Sequence, residues 1–301
     1  MTEEGPVLVV FGAAGQLGRA LAEAGPPPGW RLVQFDRDGA DITDRHEVER
    51  ALAGMEAGVV VNAAAFTAVD RAEAEPDAAF AINRDGAGIV ATVAAASGLS
   101  LIQLSTDYVF DGRKAAPYGE GDPTNPLSVY GASKLAGEDA VRAATERHLI
   151  LRTAWVFSPF GSNFVRTMVH LARERPLLQV IDDQTGCPTP AEALAAAVVT
   201  VAPRLLAARA GDAGFGTFHF CGDEPVTWHG FAAAILGRLG RDGCTLPVLA
   251  PITTAEYPAA ARRPAYSVLS SAKLAAVHGV MPPDWRPALE RCLTRLQGER
   301  R

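Results

Sequence analysis

The sequence has few cysteines, and those it has are far apart. Its 301 residues contain four, namely Cys187, Cys221, Cys244 and Cys292, with no C-x-x-C pair. This spacing predicts neither a disulfide framework nor a zinc site. The six histidines are equally scattered, without a pair at ligand spacing. We therefore expect no catalytic metal ion bound by the protein.

The chain also lacks a run of basic residues and a long apolar segment. A net charge of −6 without a lysine and arginine cluster argues against nucleic acid as a partner. The alanine-rich stretch at 193–201 is too short to span a bilayer. Residues 1–6 are acidic and do not resemble a secretion signal. We expect a cytoplasmic protein that binds neither nucleic acid nor membrane.

The most organised stretch is at the start of the chain. The apolar run VLVVF at 7–11 leads directly into a G-x-x-G-x-x-G turn at 12–18 and then a helix-forming segment. A second apolar run at 31–35 ends at Asp36. A strand, a glycine turn, a helix N-terminus and an acid about 20 residues further on are typical of a dinucleotide site. A glycine-rich turn alone would be much weaker evidence.

Tyr130 and Lys134 form the second notable pattern. Four residues apart on a predicted helix, they share one face. The ammonium is expected to lower the pKa of the phenol towards working pH and make Tyr130 a usable proton donor. Such a pair is by itself more often an ordinary helix contact. The strand predicted to run into Ser105 and Thr106 would place their hydroxyls at the sheet edge where ligands bind, although such a pair can also cap a turn.

Strand and helix patterns alternate through the first half of the chain. The patterns predict strands at 58–65, from Leu101 into Ser105 and Thr106, and at 148–152, with helices at 45–52 and 80–96 and around Tyr130. This alternation predicts an α/β fold, a Rossmann-like doubly wound parallel sheet. We place the nucleotide-binding domain at 1–152. A smaller mixed α/β region, mainly substrate-binding, follows at 153–301, and its chain is expected to cross back to the first domain.

Six motifs together resemble the extended short-chain dehydrogenase/reductase superfamily and, within it, the dTDP-4-dehydrorhamnose reductases. They are GAAGQLG at 12–18, VNAAAFTAVD at 61–70, STDYVFDG at 105–112, YGASKLAGE at 130–138, RTAWVF at 152–157 and DQTGCPT at 183–189. The glycine and Tyr-x-x-x-Lys motifs mark the superfamily, whereas the STDYVF and DQxGxPT runs are much narrower. The resemblance covers nearly the whole chain.

The resemblance implies NAD(P)H-dependent reduction of the C4 keto group of dTDP-4-dehydro-L-rhamnose. A homodimer is one assembly we consider, and the sequence leaves the oligomeric state open. Tyr130 would donate the proton, Lys134 would hold the nicotinamide ribose, and Thr106 would position the sugar oxygen. The implied substrate-binding residues are Thr106, Asp107, Tyr108, Tyr130 and Trp155. The predicted cofactor-binding residues are Gly12, Gly15, Gln16, Leu17, Gly18, Asp36, Arg37, Asp41, Ile42, Ala65, Phe66, Thr67, Tyr130 and Lys134. Phe66 stands where some relatives carry histidine.

The choice between NADH and NADPH stays open in the sequence. Asp36 suits a free ribose 2′-hydroxyl, which favours NADH. Arg37 can pair with a 2′-phosphate, which favours NADPH, although an Arg beside an Asp is also an ordinary surface pair. We therefore expect both cofactors to be used.

Two alternatives to the reductase function remain. Nucleotide-sugar dehydratases carry Thr-Asp-Glu at the strand end, and Tyr108 here replaces the acid that elimination requires. The regulatory subunit of methionine adenosyltransferase resembles the same family but acts by docking to an enzyme. This chain keeps the Thr106, Tyr130 and Lys134 set, which favours catalysis without excluding a docking role.

Overall fold

The computed structural model describes residues 5–55, 57–241 and 246–298. Its central feature is a six-stranded parallel sheet. The strands in chain order are β1 (Val7–Phe11), β2 (Arg31–Phe35), β3 (Gly58–Asn62), β4 (Ser100–Thr106), β5 (His148–Thr153), β6 (Val156–Phe157), β7 (Leu177–Ile181), β8 (Thr185–Gly186), β9 (Thr189–Pro190), β10 (Gly216–His219), β11 (Val226–Thr227) and β12 (Val248–Ile252). The sheet order is β10-β5-β4-β3-β1-β2, which confirms the predicted doubly wound Rossmann-like fold.

Helices cover both faces of this sheet. The α-helices in chain order are α1 (Gln16–Ala24), α2 (Arg45–Leu52), α3 (Val69–Ala74), α4 (Pro76–Phe80), α5 (Ala87–Ala96), α6 (Val129–Ala144), α7 (Phe164–Glu174), α8 (Ala191–Ala207), α9 (Trp228–Arg241), α10 (Ala272–His278) and α11 (Trp285–Gly298). Helices α1 and α8 pack on one face around Leu8 and Val10, and α2, α5 and α6 pack on the other around Val9 and Phe11. Because strands buried on both faces need apolar residues at every position, β1 and β3 are almost entirely apolar.

A second core lies in the later part of the chain. Helices α7, α9 and α11 pack around Phe231 and Trp285, with the parallel pair β7 and β12 at the edge. The chain nevertheless returns to the main sheet, because β10 pairs with β5 and α8 packs against α1. In the part of the chain that the structure describes, no helix is long and apolar enough to cross a membrane.

Several element boundaries differ from the sequence prediction. The strand predicted to run from Leu101 into Ser105 and Thr106 ends at Thr106 as expected and is followed by a 3₁₀ turn at Asp107–Val109, whereas the strand predicted at 58–65 ends at Asn62. The helix predicted at 80–96 contains a π-helical turn at Ala81–Gly86. Cys187 and Cys221 are buried free thiols, Cys292 is buried, and Cys244 lies outside the described residues.

Candidate active site

The glycine turn lies where the strand order of the sheet reverses. β1 has β2 on one side and β3 on the other, so the crevice at their carboxyl ends is the expected ligand position in an open α/β sheet. Gly12 has φ +88°, and a Cβ there would lie 2.6 Å from the Ala64 nitrogen. A Cβ at Gly18 would lie 2.5 Å from the Gly12 and Ala13 oxygens. Gly18 therefore serves the close packing of helix and turn.

The N-terminus of α1 is prepared for an anion. Gly15 is the N-cap, no side chain caps the helix, and no acid stands in its first turn. The first N–H groups of this helix therefore keep their positive potential. The Gln16 side chain is used elsewhere: its amide donates to the Val156 carbonyl and accepts from Ser158 and Asn163. Gln16 thus joins the glycine turn to the later half of the chain.

A cavity of about 270 Å³ lies on the β2 side of the turn. Its lining includes seven residues of the predicted cofactor site, namely Gly12, Gly15, Asp36, Arg37, Asp41, Ile42 and Ala65. Asp36 accepts a hydrogen bond from the Gly39 N–H at 3.0 Å. Arg37 reaches out to Asp41 at 3.2 Å, and its side chain is 81% exposed. The guanidinium is therefore largely open to solvent at the edge of this cavity.

A second cavity, of about 350 Å³, lies on the β4 side of the turn. It shares Gly15, Ala63 and Ala65 with the first cavity, so the two form one groove across the switch point. The remaining lining residues are Gln16, Leu17, Thr67, Leu104, Ser105, Tyr130, Lys134, Thr153, Val156, Gly161, Ser162 and Leu194. The structure thus brings the glycine turn and the Tyr-x-x-x-Lys pair to one groove.

Helix α6 is held close to the end of β4. Ser128 caps the helix by accepting from the Gly131 N–H, and a Cβ at Gly131 would lie 2.2 Å from the Tyr108 carbonyl oxygen. Only glycine permits this approach. The Lys134 ammonium, which is buried, donates to the Leu104 carbonyl at 2.6 Å. Lys134 is therefore fixed against the strand that carries Thr106, and Tyr130 lies near the Thr106 hydroxyl.

The expected lowering of the Tyr130 pKa is wrong for this structure. Burial raises the pKa of Tyr130 to about 12, and the nearby Thr106 hydroxyl offsets only part of that effect. Burial also lowers the pKa of Lys134 to about 8, against the opposing influence of Glu138. The sequence argument considered charge alone, whereas desolvation of both groups dominates here.

A buried ion network lies behind Lys134. Glu138, one turn along α6, receives two hydrogen bonds from Arg152 at 2.8 and 2.7 Å and one from Ser105 at 2.5 Å. Arg142 adds another at 2.7 Å. Burial acts to raise the pKa of Glu138, but these partners hold it below its usual value. The network was not predicted, although Glu138 and Arg152 both belong to motifs that the sequence carries.

The predicted sugar-contacting residues surround Tyr130 on its other side. Thr106 donates to Asp107 at 3.1 Å and accepts from the Tyr108 N–H. Burial raises the pKa of Asp107 to about 7. The Tyr108 ring meets Tyr130 edge to face at 5.8 Å between centroids. Burial also raises the pKa of Tyr108, while Arg263 acts in the opposite direction.

Arg263 and Trp155 show how the later half completes the site. Arg263 pairs with Asp70 at 2.5 Å, which connects a C-terminal loop to α3 beside Tyr108. Trp155 has a positive φ of 47° and stacks on Trp228 with centroids 3.4 Å apart. A Cβ at Gly186 would lie 2.4 Å from the Trp155 ring, so glycine is required there. The sequence analysis named Trp155 as a candidate but did not name Gly186 and Trp228, which contact its ring.

Phe66 does not line either cavity. Its side chain packs with Ala72 and Ala79, and the guanidinium of Arg71 lies 4.8 Å from its ring centroid. Asn83, in the π-helical turn, holds the Phe66 main chain at both its N–H and its carbonyl and also donates to Ser133 of α6. Phe66 therefore shapes the loop between Ala65 and Thr67, and its ring does not face the groove.

Comparison with known proteins agrees with this geometry. The family model for the RmlD substrate binding domain matches residues 7–298. A dTDP-4-dehydrorhamnose reductase from Sinorhizobium fredii is 42% identical over 284 residues, covering 94% of this chain and 95% of that one. The solved structure of a dTDP-4-dehydrorhamnose reductase from Clostridium acetobutylicum has a TM-score of 0.89 at 36% identity and covers 97% of this chain and 99% of that chain.

A second solved structure carries a cofactor. The dTDP-4-dehydrorhamnose reductase from Bacillus anthracis, in complex with NADP, has a TM-score of 0.87 at 33% identity and covers 97% of this chain and 99% of that chain. These relatives are reductases, and their similarity extends over both halves of the chain. This chain therefore belongs to the dTDP-4-dehydrorhamnose reductase family.

Proposed function

We propose that this chain reduces the C4 keto group of dTDP-4-dehydro-L-rhamnose with NADPH and that Tyr130 donates the proton. The main support for this proposal is that Tyr130 and Lys134 line the same groove as the glycine turn and the N-terminus of α1, which no side chain caps. The glycine backbone, the uncapped helix and the two joined cavities fit a dinucleotide. NADPH supplies the hydride.

The protein's own groups have separate tasks in this reaction. Thr106 positions the keto oxygen towards Tyr130 by hydrogen bonding. Tyr130, fully protonated with a pKa of about 12, gives its proton to that oxygen as negative charge develops on it. Lys134, fixed on the Leu104 carbonyl, stabilises the phenolate left on Tyr130 and holds the nicotinamide ribose. Tyr108 stands where elimination would need a carboxylate, so the site supports reduction.

The remaining site assignments are part of the same proposal. Residues 1–152 would bind mainly the cofactor, together with β10 and α8, and residues 153–301 mainly the dTDP-sugar through Trp155. Asp107 and Tyr108 would contact the sugar from the end of β4. A homodimer, a cytoplasmic location and the lack of nucleic-acid and membrane partners remain predictions. Light scattering of the purified protein measures its oligomeric state.

Substrate-dependent oxidation of NADPH tests the proposed function. Purified protein should consume NADPH when dTDP-4-dehydro-L-rhamnose is added, and dTDP-glucose, which has no keto group, should give no consumption. Absence of consumption with a sugar whose identity is independently verified would disprove the proposal.

We expect the kcat/KM for NADPH to fall as the pH rises through about 8. This parameter reports ionisations of the free enzyme, in which Lys134 has a pKa of about 8 and loses its charge above that pH. Tyr130 stays protonated throughout such a titration because its pKa is about 12.

Two carboxyl groups also lie near these side chains. The pKa of Asp107 is about 7, below that of Lys134, and Glu138 stays negatively charged beside Lys134 because its partners hold its pKa below the usual value. An Asp107→Asn variant should therefore keep the decline near pH 8. A profile that stays flat to pH 9.5 would show that the charge on Lys134 is not required.

Both cofactors should be accepted, with less than a tenfold difference in kcat/KM, or roughly 1.4 kcal/mol. Asp36 and Arg37 both line the adenosine end of the groove, and they favour opposite ribose substituents. Arg37→Ala should selectively reduce use of NADPH. Arg45→Ala is the matched control, because it removes an exposed i,i+4 ion pair with Glu49 on α2. It should leave kcat/KM unchanged for both cofactors. A preference above a hundredfold would mean that one of the two residues does not face the ribose.

A further inference from the structure

Thr153 has a buried hydroxyl that the protein itself does not satisfy. The residue is 8% exposed, and its Oγ1 has no hydrogen-bond partner among the described residues. Buried hydroxyls are normally hydrogen-bonded, because leaving one unpaired is costly. No role was assigned to Thr153 from the sequence. Its position therefore suggests a partner that arrives from outside the chain.

The strand register places this hydroxyl at the reacting edge of the sheet. Thr153 is the last residue of β5 and lies opposite Thr106, the last residue of β4. It lines the second cavity together with Tyr130, Lys134 and Ser105. Of the five sugar-contacting candidates, Tyr130 is among the described residues that line this cavity, and Thr106, Asp107, Tyr108 and Trp155 are not. Thr153 thus lies in the cavity that the glycine turn also lines, next to Tyr130 and Lys134.

The walls around Thr153 indicate what part of that molecule it meets. Leu17, Leu104, Val156 and Leu194 supply apolar surface in the same cavity, and the cavity opens towards the glycine turn at Gly15. A flat ring with a hydrogen-bonding substituent matches these apolar walls beside a buried hydroxyl that has no partner among the described residues. In a pyridine dinucleotide this part is the nicotinamide ring with its carboxamide.

We propose that Thr153 Oγ1 hydrogen-bonds the nicotinamide carboxamide and fixes the rotation of the ring relative to Tyr130. This inference rests on the proposed use of NADPH. A hydroxyl can donate to the amide oxygen or accept from the amide nitrogen, so either orientation of the substituent satisfies it. Thr153 is then a cofactor-positioning residue, and it has no part in the proton transfer.

The test measures NADPH binding by fluorescence titration, without sugar, in the wild type and in two variants of Thr153. Thr153→Val removes the hydroxyl while keeping the shape, and its Kd for NADPH should rise about tenfold, the loss expected for one hydrogen bond. Thr153→Ser retains a hydroxyl and should bind within threefold of the wild type. 2′-Phospho-ADP-ribose, which lacks the nicotinamide ring, should bind all three proteins equally.

Thermal unfolding separates this role from a structural one. Thr153→Val should unfold at or above the wild-type midpoint without ligand, because the hydroxyl has no partner to lose, and should gain less stability from added NADPH. An unchanged Kd for NADPH, or equal weakening of the ring-free fragment, would overturn the inference. A raised KM for the sugar with unchanged NADPH binding would instead place the hydroxyl at the sugar. If wild-type protein did not bind NADPH, the proposed function itself would fail.

Discussion

Replacing Tyr130 with phenylalanine should reduce kcat by about 10²–10⁴-fold, the usual contribution of a positioned general acid. The variant keeps the ring that packs edge to face on Tyr108 and loses only the hydroxyl. Cofactor affinity should change little, because the Lys134 ammonium and its bond to Leu104 remain in place. Steady-state kinetics and NADPH titration of the same preparation measure both quantities.

Tyr257→Phe is a suitable control for this variant. Tyr257 is 48% exposed, so it loses the same hydroxyl at a position outside the groove. Its kcat should match the wild type. If Tyr130→Phe kept a rate within threefold of the wild type, another group would have to donate the proton.

Replacing Arg152 with methionine should lower the free energy of unfolding by about 3–5 kcal/mol. Arg152 is 3% exposed and makes two hydrogen bonds to Glu138, so its loss leaves a buried carboxylate without its main partner. Removing one member of a buried ion pair typically costs that much. Urea unfolding at fixed pH, without cofactor, gives the change from the midpoint and slope.

Two further variants show whether the uncompensated charge is the cause. Adding Glu138→Gln to Arg152→Met should recover part of the loss, because the buried charge is then gone. Arg37→Met breaks an ion pair whose arginine is 81% exposed and should change stability by less than about 1 kcal/mol. Equal effects of Arg152→Met and Arg37→Met would contradict the role given to the network.

Local patterns in the sequence were sufficient to predict the frame of the site. The apolar run at 7–11, the glycines after it and the strand that ends at Thr106 each follow from periodicity within a few residues. Parallel strands bring their carboxyl ends to one edge, so these segments had to meet there. Tyr130 and Lys134 were found because helix spacing fixes which residues share a face.

The features of the site that the sequence did not predict depend on contacts between distant parts of the chain. Asp70 and Arg263 are separated by 193 residues, and no local pattern pairs them. The π-helical turn that places Asn83 against Phe66 and Ser133 is set by tertiary packing, since its sequence reads as ordinary helix. The pKa of Tyr130 followed burial, which a sequence does not state. Thr153 left only one signal, a threonine directly after the strand predicted at 148–152.

Transfer of deuterium from NADPH to the sugar tests most directly that this chain reduces C4. Wild-type protein, dTDP-4-dehydro-L-rhamnose and NADPH deuterated at both positions of nicotinamide C4 should give dTDP-L-rhamnose that is one mass unit heavier, with its C4 proton signal missing. Tyr130→Phe should give the same labelled product far more slowly. Unlabelled product, label at another carbon, or no product from a verified keto sugar would contradict the assignment.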